Sequence, residues 1–534
     1  MLQFLPDTEE KLAQSFIEKF EKAKMIRQNF EDVFDECYDY AMPMREQFRS
    51  KTIGERRDEK IFDETAVVGV QEFASRLQQG LVPNFARWAD LVAGIETPLE
   101  ERDALNNQLD DVTEYVFEIL QNSNFAQAVH ESFMDLAIGT GVLHVDEGDA
   151  INPINFSAIP LPHVVLDVGP NDRIDHVYRE RNVRYSDLPF LFPDTDLGQE
   201  LTNYIMSSPD TKTKILEVVC KNYTKLNEDS FYCIVIETKT KKILKQETLN
   251  GTGSNPFICF RWITCSGEVY GRGPLLNTLS AIKTTNLTIQ YILENAAMSI
   301  AGIYQMDDDG VINPDTINLV PGTVIPKAPN SAGLQPIRQA GSMDFGNFVL
   351  SDMRTNIKKA LYNDMLGNPE RTPASATEIA ERMADLSRRI GSAFGKLQAE
   401  MVQPILQRVV FILKKQGRIE LPTLNGNQVK IRSVSPLAQS QANADITAIA
   451  RWLELIQTQF GPQVTNLLIN AEETAAHLAK KYGVPDSLIR DPDERRQIIE
   501  AAQQMAQMQQ QMPQQSQQGM TNEKKESITN TRFN

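Results

Sequence analysis

No apolar run in this 534-residue sequence approaches the roughly 20 residues that a membrane-spanning helix needs. The opening residues, MLQFLPDTEEK, lack a basic region followed by an apolar core, so no export leader is expected and the chain should be made in a cytoplasm. Neither GxxxxGKS nor GxxxxGKT occurs, which excludes a P-loop motor. There is no GxSxG, and none of the five histidines has a Ser or Cys partner that spacing alone identifies, so nothing recommends an enzyme. The five cysteines, Cys37, Cys220, Cys233, Cys259 and Cys265, form no CxxC and read as buried free thiols in a reducing compartment. Basic charge is scarce: 54 Lys and Arg stand against 71 Asp and Glu, a balance of −17. That excludes a nucleic-acid binder coated in basic residues. It leaves a conduit open, because a duplex carries a charge about every 1.7 Å and a wall that lets it slide should offer few basic partners.

What is present is mostly helical periodicity. Leu12, Phe16, Phe20, Ala23, Phe30, Phe34 and Tyr38 mark a long helix that stops before Pro43. A second runs from about Glu64 to Gln79 and buries Val67, Val70, Phe73, Ala74 and Leu77. Thr97, Pro98 and Glu100 make a capping box that opens a third, to about Gln121, and a fourth covers Phe125 to Ile138. From Gly141 to Ile263 the pattern turns to short strands, VLHV, HVVLDV, DHVYRERNV, KILEVVCKNY, FYCIVIET and KKILKQE, interrupted by short helices at SDLPFL and DLGQELTNYIM. Helices beside a mixed sheet predict an α+β body.

Gly271, Gly273 and Pro274 then read as a flexible turn into a helix with Leu275, Leu279, Ile282, Ile289, Ile292 and Ala296 on its apolar side. Another helix, Phe345 to Met365, shows Val349, Met353, Ile357 and Leu361 on one face. Between these two lies a turn-rich excursion with three strand candidates. Gly367, Asn368, Pro369 and Pro373 block helix around Arg371, and Ser375 with Glu378 caps a new start. Ile379, Met383, Leu386, Ile390, Phe394, Leu397, Met401, Ile405, Val409 and Leu413 continue one stripe past Pro404, where a kink rather than a stop is expected. From Ala376 to Gln416 that helix would be about 60 Å long. A strand-like GNQVKIRSV and helices near 441–459, 462–482 and 492–512 follow, and the Gln- and Met-rich end is expected to fade into disorder.

Three motifs invite ligands and each has a plainer account. Gly139-Thr140-Gly141 has its helix before and its strand after, the reverse of a phosphate loop. His144, Asp146, Glu147 and Asp149 lead into Gly148 as a polar hairpin turn would. Asp307, Asp308, Asp309 and Gly310 resemble a calcium loop, but that alignment puts Gln305 and Thr316 where acidic ligands are required. No metal or cofactor is expected.

The PERTP loop core leading into SATEIAER resembles the portal proteins of tailed bacteriophages, especially the head-to-tail connectors of short-tailed phages, and GLVPNFARWADL looks like a segment near their start. The resemblance implies an α+β, mainly helical portal fold assembled as a ring. Its parts would be a wing (1–270, N-terminal helices and mixed β body), a stem helix (271–301), a clip (302–344), a second stem helix (345–365), a channel loop (366–375), a long kinked helix (376–417), a crown (418–512) and a flexible tail (513–534). It further implies a dodecamer at one capsid vertex of the virion. Double-stranded DNA would be bound without sequence preference, with the major capsid protein, scaffold, terminase and tail adaptors as partners. Loop residues Gly367, Asn368, Pro369, Glu370, Arg371 and Thr372 would touch DNA, Arg371 through phosphate or by bridging to a neighbouring subunit. Lys358 and Lys359 would face the channel or form a solvated helix face. Asp307, Asp308, Asp309, Lys327 and Arg338 would lie on the docking clip, and Arg388 and Arg389 would pair across subunits. Two other classes stay open: a helical scaffold without a channel, and a metal-dependent nucleic-acid enzyme built on His144 and Asp146.

Overall fold

In the computed structural model, residues 9–49, 60–94, 96–98, 101–224, 229–301, 343–363, 389–421, 429–436 and 449–461 are described, with short pieces at 304–305, 329, 335–336, 438, 469–470, 473–475 and 478–479. They fall into two units, Met1–Thr97 with Asp111–Gln441, and Pro98–Asp110 with Ala442–Asn534.

In the first unit, helix α1 (Glu9–Ala41) follows its apolar stripe and ends before Pro43, whose ring disfavours helix in the residue preceding it. Leu12, Phe16, Phe20 and Ala23 pack against Val165, Tyr178, Leu216, Val218, Ile234 and Ile236 of a five-stranded sheet. Phe16 is 1% exposed, and truncating such a ring costs about 3–5 kcal/mol in transfer energy and cavity. Helix α2 (Thr65–Leu81) buries Val70, Phe73, Ala74 and Leu77. Strand β1 (Ala89–Ala93) was not evident from the sequence. Helix α3 (Arg102–Asn122) starts later than its capping box suggests, because Glu101 N–H turns back to the Pro98 carbonyl at 3.1 Å first. Helix α4 is Phe125–Ile138.

Strands β2 (Thr140–Glu147) and β3 (Ile154–Ala158) form a hairpin, with Gly148 N–H bonded to the Pro153 carbonyl at 2.9 Å. The large sheet is a meander of β4 (Val164–Val168), β5 (Ile174–Arg184), β6 (Lys212–Lys221), β7 (Ser230–Glu237) and β8 (Ile243–Asn250). Helices α5 (Leu188–Leu191) and α6 (Gly198–Ser207) interrupt it. Alternate residues serve its two faces, as a period of two requires: Leu216 and Ile234 meet α1, whereas Ile215 and Val235 join Val183, Leu188 and Leu201 beneath α6. Strand β9 (Phe257–Arg261) completes a three-stranded sheet beside β2. Among the described residues every strand pair is antiparallel, so the expected mixed sheet is corrected. The links between the meander strands carry no long crossover helix, which a parallel pair would demand.

Helices α7 (Pro274–Ala301) and α8 (Met343–Ala360) pack together. Among the described residues of the chain between them, β10 (Tyr304–Gln305) pairs with β11 (Gln335–Pro336). A composite helix follows: Gly391–Leu397, a π turn over Gln398–Val402, then Gln403–Lys415. It runs through Pro404 without a stop. The wide turn accommodates it: Gln403 N–H reaches back to the Gln398 carbonyl. Ile390, Phe394, Leu397, Met401, Ile405, Val409 and Leu413 are all buried within their own chain. Strand β12 (Val429–Ser433), read from sequence as the way into the crown, instead pairs with β1 in the first unit. In the second unit, the helical residues 449–461 leave Trp452, Leu455 and Phe460 exposed. No helix among the described residues is long and apolar enough to cross a membrane.

Candidate functional site

The sequence points to the segment between α8 and the composite helix, and the described residues build both of its moorings. Helix α8 is tied to α2 and α7 by buried polar bonds. Asn286 of α7 accepts the N–H groups of Phe62 (2.7 Å) and Asp63 (3.1 Å) and donates to the Lys60 carbonyl (2.8 Å). Asp63 accepts Thr65 N–H at 2.7 Å and Arg354 Nε of α8 at 2.8 Å. Burial alone would raise the Asp63 carboxyl, but these bonds to Thr65 and Arg354 hold it below its ordinary range.

Helix α8 ends in a two-bond reverse turn. Tyr362 N–H bonds to the Lys359 carbonyl at 3.1 Å and Asn363 N–H to the Lys358 carbonyl at 2.7 Å, the pattern of a Schellman cap. The left-handed position in it, normally glycine, is Tyr362 at φ 59°. Its ring compensates by packing beside Trp262 (5.8 Å) and Phe73 (6.4 Å). Arg76 donates to the Tyr362 carbonyl at 2.6 Å, and the Asn363 amide donates to the Gly69 carbonyl at 2.8 Å. Gly69 lets Leu361 close in: a Cβ there would sit 2.6 Å from Leu361 Cδ1 and would require that side chain to shift.

The chain returns at Arg389, whose charge is felt by Tyr362: burial raises the phenol and Arg389 opposes it. The composite helix is then fixed by Glu400. Its carboxylate accepts the backbone N–H of Arg261 at 3.0 Å and the guanidinium at 3.3 and 2.7 Å. Arg261 also donates to the carbonyls of Asp172 (2.9 Å) and Val269 (3.3 Å). Lys396 bonds to the Thr264 hydroxyl. Farther along, buried Arg408 donates to the carbonyls of Val145 (3.0 Å), Ser254 (2.9 Å) and Gly253 (3.3 Å). Beneath them the backbone of Gly139 crosses that of Gly271 so closely that a Cβ on Gly139 would lie 2.0 Å from the Gly271 carbonyl oxygen. Gly273 N–H bonds to the Ile138 carbonyl at 2.7 Å and Trp262 N–H to the Gly139 carbonyl at 2.9 Å. The turn at Gly271 and Gly273 is therefore a packed crossing, not a flexible one, and Gly139-Thr140-Gly141 is its other half.

Lys358 and Lys359 lie in the last turn of α8, both exposed, where they also complement the helix dipole. Gly367, Asn368, Pro369, Glu370, Arg371 and Thr372 lie outside the described residues, as do Arg388 and the clip residues Asp307, Asp308, Asp309, Lys327 and Arg338. Buried His144 sits 3.3 Å from Asp146 and 3.7 Å from Glu217, with its ring on Phe257. No group of three His, Cys, Asp or Glu side chains able to hold a metal is present among the described residues. Cys37, Cys220 and Cys233 are buried, with burial pushing each thiol up to about 12, but Cys265 is exposed, against the reading of all five as buried. Glu400, Arg261, Asn286 and Tyr362 escaped the sequence reading. Each is a single polar or aromatic residue whose partner is distant in the chain, and no spacing announces it.

The described residues form a mainly helical α+β body with paired helices α7 and α8, a β pairing between them and a long helix that returns along the body. The chain belongs to the bacteriophage head to tail connecting protein family, whose model matches residues 13–489. It is similar to a probable portal protein of Bordetella phage BPP-1, 21% identical over 506 residues, covering 90% of this chain and 89% of that protein. Among solved structures it is similar to a chain in the virion of a native gene transfer agent particle (TM-score 0.33, 12% identity, 83% of this chain and 99% of that one). Another is a chain in the neck of an empty particle of that kind (TM-score 0.34, 13% identity, 82% and 96%).

Proposed function

We propose that the protein is the portal of a phage head: copies close into a ring, twelve by family resemblance, at one capsid vertex, and double-stranded DNA enters, is retained and leaves along the axis. The observation that carries this reading is membership of the head-to-tail connecting family over residues 13–489. A closed ring needs heterologous interfaces that repeat until they meet. Residues 302–344 would form the clip that docks terminase during packaging and the tail adaptor afterwards, with Asp307, Asp308, Asp309, Lys327 and Arg338 in that surface. Residues 442–512, in the second unit, would contribute the crown, and the capsid protein and scaffold would meet the wing. The work is mechanical and electrostatic, with no covalent step.

Gly367, Asn368, Pro369, Glu370, Arg371 and Thr372 would touch the moving duplex, and Lys358 and Lys359, exposed in α8, would add weak phosphate contacts. A few isolated cations let DNA slide where a dense array would hold it, because each neutralised phosphate adds salt-dependent affinity. Electron microscopy of the purified protein with particle mass measured in parallel tests the reading: closed rings with an open axis support it, and a chain that stays monomeric in every condition overturns it. Arg371→Ala should then leave rings intact while lowering the DNA retained per particle. Normal retention would remove the loop from the mechanism.

A further inference from the structure

One end of the meander gathers positive charge in an otherwise acidic chain. Where β5 finishes, β6 begins and the β7–β8 turn folds over, the sheet carries Arg184, Lys212, Lys214, Lys239, Lys241 and Lys242. Two of these are already matched: Lys214 pairs with Glu180 at 2.6 Å and Lys242 with Glu9 at 3.4 Å. Arg184, Lys212, Lys239 and Lys241 are exposed and form no ion pair among the described residues, Lys239 lying instead over the Tyr204 ring at 4.0 Å. Arg184 stands directly opposite Lys212 in the strand register. Like charges placed so repel.

The reverse case lies on α3. From residue 103 to residue 122 that helix has five carboxylates and no basic side chain. Asp111, Glu114 and Glu118, three and four positions apart, share one face, where all three are exposed and without an ion pair among the described residues. At that spacing they repel one another along the helix. The opposite face is the buried one, through Thr113, Val116, Phe117 and Leu120, and the Thr113 hydroxyl accepts the Leu91 N–H at 3.2 Å. Residues 111–118 belong to the same unit as the meander. A surface meant only for water mixes its signs, yet each of these two keeps a single sign at a local cost. Copies of a chain at −17 also repel one another as wholes, so they must meet where unlike charges face each other.

We infer that the basic end of the meander docks on the acidic face of α3 in a second copy of this chain. The inference rests on the ring reading above and names a surface that closes the ring. Two surfaces of opposite sign on one chain are the pair that a heterologous contact needs, one offered and one received by every copy.

The experiment uses the full-length chain, with particle mass and circular dichroism recorded together. One variant carries Arg184→Glu, Lys212→Glu and Lys239→Glu, which turns the sheet end acidic; the other carries Asp111→Lys, Glu114→Lys and Glu118→Lys, which turns the helix face basic. All six positions are exposed, so the folded signal should be kept. Each variant alone should lose its rings. Mixed in equal amounts they should regain them, because an even ring can alternate the two chains and every contact then joins unlike charges. Rings from either variant alone, or a mixture that forms none, overturn the inference, while rings of the parent chain leave the portal reading standing. A parent that never closes rejects the ring reading and this contact with it. If the reversed sheet end does not fold, Arg184→Gln with Lys212→Gln takes its place and should raise severalfold the concentration at which half the chain is in rings; an unchanged concentration overturns the inference.

Discussion

Replacing Glu400 with alanine tests the strongest polar restraint on the composite helix. In the folded chain its carboxylate takes three N–H groups from Arg261, at 3.0, 3.3 and 2.7 Å, where the arginine side chain is 3% exposed and the glutamate 21%. Removing it leaves a backbone N–H without that acceptor and a buried guanidinium without its counter-charge. Breaking a buried pair typically costs 3–5 kcal/mol. Water reaches the partly exposed glutamate side, and Arg261 keeps the carbonyls of Asp172 and Val269, so the lower end, about 3 kcal/mol, is expected. Glu400→Gln keeps an acceptor but not the charge and should cost about 1–2 kcal/mol. Pairing Glu400→Leu with Arg261→Met removes both charges and should recover much of the loss. Urea unfolding followed by tryptophan fluorescence reads this directly, since Trp262, next to Arg261, is 2% exposed. A Glu400→Ala midpoint within about 0.5 kcal/mol of the parent, or a double variant no more stable than that single one, would refute the clamp.

Gly139→Ala and Gly395→Ala should move in opposite directions: the first forces a Cβ to 2.0 Å from the Gly271 carbonyl oxygen and should abolish soluble folded protein, while the second meets nothing within 4 Å and should stabilise by about 0.5–1 kcal/mol in a melt. Phe394→Asp should prevent folding before assembly, because Phe394 is buried inside its own chain at 4% exposure. A soluble monomer that merely fails to close a ring would show the stripe to be an interface instead. Asp63 has a lowered folded carboxyl, so its contribution is complete above the ordinary carboxylate value near about 4 and is lost as pH falls through the folded value. The stability gap between the parent and Asp63→Asn should therefore be flat at neutral pH and close only in acid; a gap that widens in acid would contradict the geometry.

The strand segments of the meander, the two short helices within it and the stripes of α1 and α2 were legible because each obeys a local period, whereas the antiparallel order of the strands was not. The π turn was not read from the sequence, although its arithmetic is there. From Ile390 to Leu413 the apolar positions advance by nearly four residues a step, so that six turns of α-helix fall roughly one and a half residues short. One wide turn takes up the excess and keeps Phe394 and Val409 in the same core. What local period could not announce was pairing across distance. Ala89–Ala93 is too short to alternate convincingly, and its partner Val429–Ser433 arrives after nearly the whole body has been laid down. The same limit hid Arg261, Glu400 and Asn286, and it left Gly139, set aside as a phosphate loop, without a role when its purpose is to let two backbones touch. Gly271 was seen, but as half of a turn rather than half of a crossing.

The disposition of arginine bears on how an acidic chain, at −17, can serve DNA at all. Arg76, Arg261, Arg354 and Arg408 all bond to carbonyls or carboxylates within the body. Arg261 and Arg408 are each held by several internal acceptors and have few donors left for phosphate. Lys358 and Lys359 are exposed on α8, and lysine meets phosphate as a point charge rather than in a bidentate fork. Under the proposed arrangement the affinity of the ring for duplex should fall with salt at a slope of about 0.9 for each phosphate engaged. A shallow slope would correspond to a few contacts renewed as the helix advances. A steep one would mean that many cations grip at once, and a conduit built that way would resist the motor it serves.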